Sequence, residues 1–308
     1  MQTVRIKSYA KINLTLEIVG KEGEFHLLDS LVANIDMYDL LVLKKRKDKL
    51  SRVTMHGLGS ESIPPEQNNA LKAAEAFSET FGVHGAEITV FKNIPIGAGL
   101  GGSSADIAGV LKGMAKLYNV TDLQAVERLA ERLGSDVKYM LTGGFARMQG
   151  RGERLSPMGV SPTLHFLLLC PNASVDTGAC YREYDSSPQN TGVEYTEKCI
   201  AALAKNDLEA GGRYLTNDLY VPATRLCKEV ETAYKEAKSF SPLGAVMTGS
   251  GSAVLALFES RELCEWAKSR YRGKCRACVV KTITPKEKTG SIFRNPFVLS
   301  DGEREIKD

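Results

Sequence analysis

Three segments of this 308-residue chain carry polar atoms in patterns that suit phosphate chemistry. The first is IPIGAGLGGSSAD (94–106), where Gly97, Gly99, Gly101 and Gly102 surround Leu100 and lead into Ser103 and Ser104. Glycines let backbone N–H groups approach an anion without an intervening Cβ. A helix starting there adds unpaired N–H groups and the positive end of its dipole. The two hydroxyls stand where a phosphate, or its magnesium, would sit. Such a segment is well prepared for phosphate, although alone it could be a tight turn with serine capping a structural helix. It is not a Walker A loop, since no Gly-Lys-Ser/Thr follows, and the chain-initial strand–loop–helix unit of a dinucleotide fingerprint is absent. The second segment is SYAKINLTL (8–16), in which Lys11 and Asn13 share one face of an otherwise apolar strand. The third is VMTGSGSAVLALF (246–258), another glycine-serine turn feeding an apolar strand. Each could be structural; the three together point to one phosphate-handling site.

The elements that must position these segments follow from apolar periodicity. Residues 3–19 alternate, which predicts one or two strands with Val4, Ile6, Ile12, Leu14, Leu16 and Ile18 on one face. Strands are predicted at 39–45 and 51–56, flanking the basic run KKRKDK (44–49), which reads as a solvated hairpin. A helix over 65–81, opened by prolines and stopped by Gly82, precedes a strand EITVFK (87–92) and the glycine loop. After the loop, Ile107, Val110, Leu111, Met114 and Leu117 fall at helical spacing. A further helix runs from about Asp122 to Leu133. The segment SPMGVSP (156–162) is a candidate domain boundary, and the apolar strand LHFLLLC (164–170) starts a second unit. That unit is predicted to hold helices near 195–205, 207–215 and 223–238 and strands near 253–258 and 277–284. The expected organisation is α+β, with domains over 1–158 and 159–286, a cleft between them, and a charged tail over 287–308.

Composition narrows the function classes. A net charge of +3 is too small to argue for nucleic acid or a membrane surface as partner, and suits a small anionic substrate. No run approaches the roughly 18 apolar residues that span a bilayer, and MQTVRIKSYAKINLTL lacks the apolar core and cleavage site of a signal peptide. Seven scattered cysteines speak for a reducing compartment, so a cytoplasmic protein is expected. Cys275 and Cys278 have C-x-x-C spacing but no second pair or nearby His, and read as half-buried thiols on a late strand.

In order along the chain, AKINLTLEI, FHLLDSL, GAGLGGSSAD, GSDV, GRGE, TNDL and MTGSGSAV resemble the motifs of the GHMP kinase superfamily. Within it they are most similar to the 4-diphosphocytidyl-2-C-methyl-D-erythritol kinase family, over about Ser8 to Thr284. The resemblance implies a two-lobed fold, with a ribosomal-S5-domain-2-like N-terminal domain and a ferredoxin-like C-terminal domain. It implies a kinase that uses ATP and Mg²⁺, with the glycine loop holding the phosphates and Lys92 and Asn68 lining the nucleotide pocket. Asp136, in GSDV, matches the family's catalytic aspartate and Lys11 its catalytic lysine. Read without the resemblance, Asp136 would be a helix N-cap and Lys11 a strand-edge lysine. The direct Mg²⁺ ligands are not legible.

The same resemblance assigns a substrate side. Phe25 and His26 match an aromatic–His pair that recognises cytosine, and Tyr181 matches a second aromatic on the opposite side of the base. Asn13 and Thr177 would add polar contacts. Two ring faces and an imidazole edge make a plausible pyrimidine clamp, while core packing is the plain alternative for Phe25 and Tyr181. The chain departs from the family pattern at Phe25 (usually Tyr), at KEGE (no Asp-Gly), at Ser103 (often Gly) and at Lys138 (usually Pro). The implied reaction phosphorylates a cytidyl diphosphate-linked sugar alcohol in isoprenoid biosynthesis, by a monomer or weak homodimer. The alternatives are a GHMP kinase acting on a homoserine- or mevalonate-type alcohol, and a non-catalytic nucleotide-binding regulator.

Overall fold

The computed structural model describes residues 2–60, 63–64, 67–159, 161–188 and 193–283; the charged tail lies outside them. In the first half the strands are β1 (Thr3–Asn13), β2 (Thr15–Glu22), β3 (Phe25–Lys45), β4 (Arg52–His56), β5 (Ala86–Phe91), β6 (Ala146–Gly150) and β7 (Arg154–Pro157). The helices there are α1 (Asn69–Phe81), α2 (Gly102–Tyr118), α3 (Leu123–Leu133) and α4 (Val137–Thr142). The second half runs β8 (His165–Cys170), α5 (Thr177–Ser186), α6 (Tyr195–Ala204), α7 (Leu208–Arg213), β9 (Thr216–Asn217), α8 (Tyr220–Leu226) and α9 (Lys228–Lys238). It closes with β10 (Gly244–Met247), β11 (Val254–Phe258), α10 (Arg261–Arg270) and β12 (Arg276–Lys281).

Strand β3 is the spine of the larger sheet and pairs antiparallel with β1, β2, β5 and β6 along its length. Strand β4 joins the edge by pairing parallel with β5, not with β3. The expected hairpin across 44–49 is therefore absent. A parallel neighbour requires a crossover, and α1 supplies it between β4 and β5. Within the basic run Arg46 is held by Asp48 and Glu87. Helix α1 is opened by Asn68, whose side chain accepts from the N–H groups of Ala70 and Leu71, rather than by prolines; Gly82 ends it in the left-handed conformation.

The smaller sheet is antiparallel in the order β10-β11-β8-β12. Strand β8 shows why LHFLLLC reads as an unbroken apolar run. Phe166, Leu168 and Cys170 join the core shared with the larger sheet, whereas Leu167 and Leu169 face a second cluster with Val230, Ala233, Ala237 and Cys264 of α9 and α10. Both faces are buried, so alternation disappears. Strand β9 belongs to the second half in sequence but pairs parallel with β2 of the larger sheet, Thr15 opposite Thr216. The helix predicted over 223–238 is two helices, divided at Cys227, which is extended (φ −149°, ψ 103°).

Candidate active site

The glycine loop runs from β5 into α2. Gly97, Gly99 and Gly101 all have positive φ, at 68°, 75° and 68°. A Cβ on Gly99 would lie 2.1 Å from the Thr248 carbonyl oxygen, and one on Gly101 would meet Met140 Cε at 2.5 Å and Lys11 Cγ at 3.0 Å. The loop therefore lies directly on the second glycine-serine turn and on Lys11. Two backbone bonds fix it there: Ala253 N–H donates to the Ala98 carbonyl (3.1 Å) and Lys11 N–H to that of Leu100 (3.0 Å). Asn217, of the TNDL segment, clamps the other turn by donating to the Met247 and Gly249 carbonyls. Helix α2 starts after Gly101 with no side-chain cap and no acidic residue in its first turn, so its positive end is left for an anion.

Lys11 and Asn13 point to one side of β1 by strand alternation, just past a slip in the β1–β3 register between Tyr9 and Lys11. Past this bulge Ala10, Lys11, Ile12 and Asn13 are all buried. Lys11 Nζ lies 3.3 Å from Asp136 Oδ2 and donates to Asn13 Oδ1 (2.6 Å). Asp136 does occupy the position before α4, yet its carboxylate makes no capping bond. It faces Lys11 instead. Asn13 in turn donates to Ser30 Oγ, and its Oδ1 also accepts from Gly249 N–H (3.2 Å), so it connects the two halves of the chain.

Two cavities meet at this point. One, of about 650 Å³, is lined by Lys11, Asn13, Phe25, His26, Asp136 and Tyr181 among others; the second, of about 350 Å³, by Asn68, Lys92, Gly102, Ser103, Ser104 and Asp106 among others. Gly99, Gly101 and Thr177 line both. The Thr177 hydroxyl is bonded to that of Ser250 (2.8 Å).

In the smaller cavity Lys92 is buried, not a surface residue, and is bound by Asp39 and Asp106. Burial opposes its ammonium, but the two carboxylates outweigh burial and hold it above the ordinary lysine range. Asp106 is pushed up to about 7, chiefly by burial, with Lys92 pulling the other way. Asp39 also accepts from the N–H groups of Asn93 and Ile94, which fixes the entry to the loop. Ser103 Oγ accepts from Asn69 of α1 (2.6 Å).

In the larger cavity the Tyr181 ring stacks on His26, with centroids 4.7 Å apart and planes 23° from parallel. His26 Nε2 is 2.6 Å from Asp185 Oδ1, and Lys21 reaches the other oxygen at 2.9 Å. Lys21, and then His26, hold Asp185 below the usual carboxylate range. Phe25 is 54% exposed, so it is not a core residue, and Arg151 lies over its ring at 4.2 Å. Sequence reasoning missed Arg151 and Asp185. GRGE stood out as a motif, and Asp185 ends the TGACYREYD segment, but nothing in either string shows that it meets Phe25 or His26.

Family comparison agrees with this architecture. The GHMP kinases N terminal domain model matches residues 68–146 and the GHMP kinases C terminal model residues 199–273. The 4-diphosphocytidyl-2-C-methyl-D-erythritol kinase of Caldicellulosiruptor saccharolyticus is 33% identical over 287 residues, covering 92% of this chain and 97% of the relative. That of Moorella thermoacetica is 35% identical over 88% of this chain and 96% of its own. The chain belongs to the GHMP kinases, in the 4-diphosphocytidyl-2-C-methyl-D-erythritol kinase family. A crystal structure of a 4-(cytidine 5'-diphospho)-2C-methyl-D-erythritol kinase superposes on this GHMP kinase with a TM-score of 0.75 at 31% identity, over 90% of this chain and 98% of the other. The homoserine kinase of Cytophaga hutchinsonii shares the fold at 18% identity (TM-score 0.70). The expected GHMP fold, an α+β pair of lobes, is thus the observed one. Among the described residues no helix is long and apolar enough to cross a membrane.

Proposed function

We propose that this chain transfers the γ-phosphoryl group of ATP to the 2-hydroxyl of 4-diphosphocytidyl-2-C-methyl-D-erythritol, a step of non-mevalonate isoprenoid biosynthesis. The observation that carries this reading is the Lys11–Asp136 pair, 3.3 Å apart beside the glycines where the two cavities meet. The smaller cavity takes the nucleotide, with its phosphates over Gly97–Ser104 and Asn68 and Lys92 on its wall. The larger takes the acceptor, with Asn13 and Thr177 near the alcohol and Phe25, His26 and Tyr181 around the cytosine.

Catalysis in such a site is positioning and charge compensation. Asp136 orients the attacking hydroxyl and accepts its proton as the new O–P bond forms and the bond to the β-phosphate oxygen breaks. Lys11 stabilises the negative charge on the transferring oxygens. Among the described residues no group of three or more His, Cys, Asp or Glu could hold a metal alone. Mg²⁺ typically enters with substrate phosphates and keeps several waters, needing only one or two hard oxygens from the protein. The Ser103 and Ser104 hydroxyls fit that requirement. When bound, the ion neutralises charge on the β- and γ-phosphates. Seven free cysteines suit a reducing compartment, and the reading places the enzyme in the cytoplasm as a monomer or weak homodimer.

The test is ADP release with ATP and Mg²⁺ against the cytidyl compound, the same alcohol phosphate without its cytidyl group, mevalonate and homoserine. Turnover of the cytidyl compound alone is expected. Preference for another alcohol would remove the pyrimidine clamp and keep the phosphoryl chemistry. Silence across the panel would remove both.

A further inference from the structure

Asn34 is a buried polar residue, 1% exposed, in the middle of β3 and outside both cavities. It stands directly opposite Lys11 in the β1–β3 pairing, at the place where the register slips. Its Nδ2 donates to the Ala10 carbonyl (3.1 Å), the peptide oxygen immediately before Lys11. Its Oδ1 accepts from Gly144 N–H (2.8 Å) and lies 3.3 Å from the Tyr139 hydroxyl oxygen. Tyr139 lies within α4 and Gly144 just beyond its end, and α4 begins at the residue after Asp136. One amide therefore holds the strand that carries Lys11 and the helix that directly follows Asp136.

The rest of its surroundings support this use. Tyr139 donates its one hydroxyl proton to the Gly144 carbonyl (2.6 Å), and burial keeps its phenol protonated as a donor. Lys112, from α2, donates to the Met140 carbonyl (2.7 Å), fixing α4 from a third side. An apolar residue at 34 would leave the Ala10 carbonyl and the Gly144 N–H without these partners in a buried setting, which the backbone can relieve only by moving. Either movement changes the separation of the reacting pair.

We infer that Asn34 is a positioning residue that sets the Lys11–Asp136 distance for phosphoryl transfer. The inference rests on the function proposed above for that pair. It requires that the amide act on the chemical step and leave the two binding cavities as they are.

The experiment compares wild type, Asn34→Ala, Asn34→Asp and the core variant Phe77→Leu by steady-state kinetics with ATP and the cytidyl alcohol, below the melting temperature of each. The aspartate variant is isosteric; once ionised, it keeps the acceptor side and cannot donate to Ala10. For both Asn34 variants kcat should fall about tenfold or more, with both KM values within about threefold of wild type. Phe77→Leu should lose stability and keep its kcat. Crystal structures of wild type and the Asn34 variants form the second arm, in which the Lys11 Nζ to Asp136 Oδ2 distance should lengthen in the variants. Unchanged kcat in folded Asn34→Ala overturns the inference, as does a fall in kcat matched by Phe77→Leu at equal loss of stability. If wild type ignores every alcohol, the functional reading fails. The distance arm still decides the inference, since an unchanged Lys11–Asp136 separation overturns it.

Discussion

A carboxylate that makes no capping bond at the head of a helix, and a lysine buried on a strand, are each unexpected until they are seen facing each other. Replacing Asp136 with Asn keeps the shape and removes the proton acceptor. We expect nucleotide binding to persist in that variant while turnover drops by about two orders of magnitude or more, checked by nucleotide titration beside single-turnover kinetics. At Gly99 the constraint is steric. A left-handed backbone costs a non-glycine residue about 1–2 kcal/mol, and the Cβ would also lie 2.1 Å from the Thr248 carbonyl oxygen. Gly99→Ala should lower the unfolding free energy from urea titration by at least that strain and raise the KM for ATP, because the loop must lift off the turn beneath it. The loop was legible from its glycines alone. The Lys11–Asp136 pair was legible only through family resemblance, because alternation places a side chain on a face and does not show which distant segment it meets. Asn34 gave no signal at all: in LLDSLVANID a polar residue reads as the solvent side of a strand, and here that side is covered by α4.

Helix α2 carries the loop into the core and, nearly three turns from its start, carries Lys112. Burial lowers the Lys112 ammonium from 10.5 to about 7. Between those values the unfolded chain holds a proton that the folded chain has released, so this residue makes stability rise with pH across that window; below it the full penalty applies. Lys112→Met removes the dependence. The melting temperature of the variant minus that of wild type should therefore decrease as pH is raised from 7 to 10, and a difference independent of pH would contradict this. Elements with strong apolar periodicity were readable from sequence: α2 as a helix following the loop, and α3 to within a residue of its bounds. Others were not. Helix α10 (RELCEWAKSR) buries only Cys264 and Ala267, too little to stand out as a stripe. Strand β3 was read only at its end, because Asp29, Ser30, Asn34 and Asp36 interrupt its apolar pattern. Ser30 and Asn34 are fully buried, and bonding to neighbouring strands and loops replaces the water they would otherwise need.

At the scale of the molecule the two sheets do not behave as separate bodies. Leu168 of β8 and Leu41 of β3 belong to one cluster, and β9 pairs with β2. Leu168→Ala should cost about 2–5 kcal/mol and destabilise both halves together. The single tryptophan, Trp266 on α10, reports the second half, while far-UV circular dichroism reports the whole chain. Their unfolding curves should coincide in wild type and variant; a tryptophan transition preceding the other would show the halves to be independent. Sequence could not foresee this union, since an apolar run such as LHFLLLC says that both faces are covered and not by what. The meeting of the two cavities at Gly99, Gly101 and Thr177 also matters for inhibitor chemistry. A compound with an adenosine-like group at one end and a pyrimidine at the other, joined by a short anionic bridge over those glycines, would find its second end already at high effective concentration once the first had bound. Its affinity should greatly exceed that of either fragment. A Cβ at position 101 would press on Met140 and on Lys11, which lines the larger cavity, and should weaken the linked compound more than its separate halves.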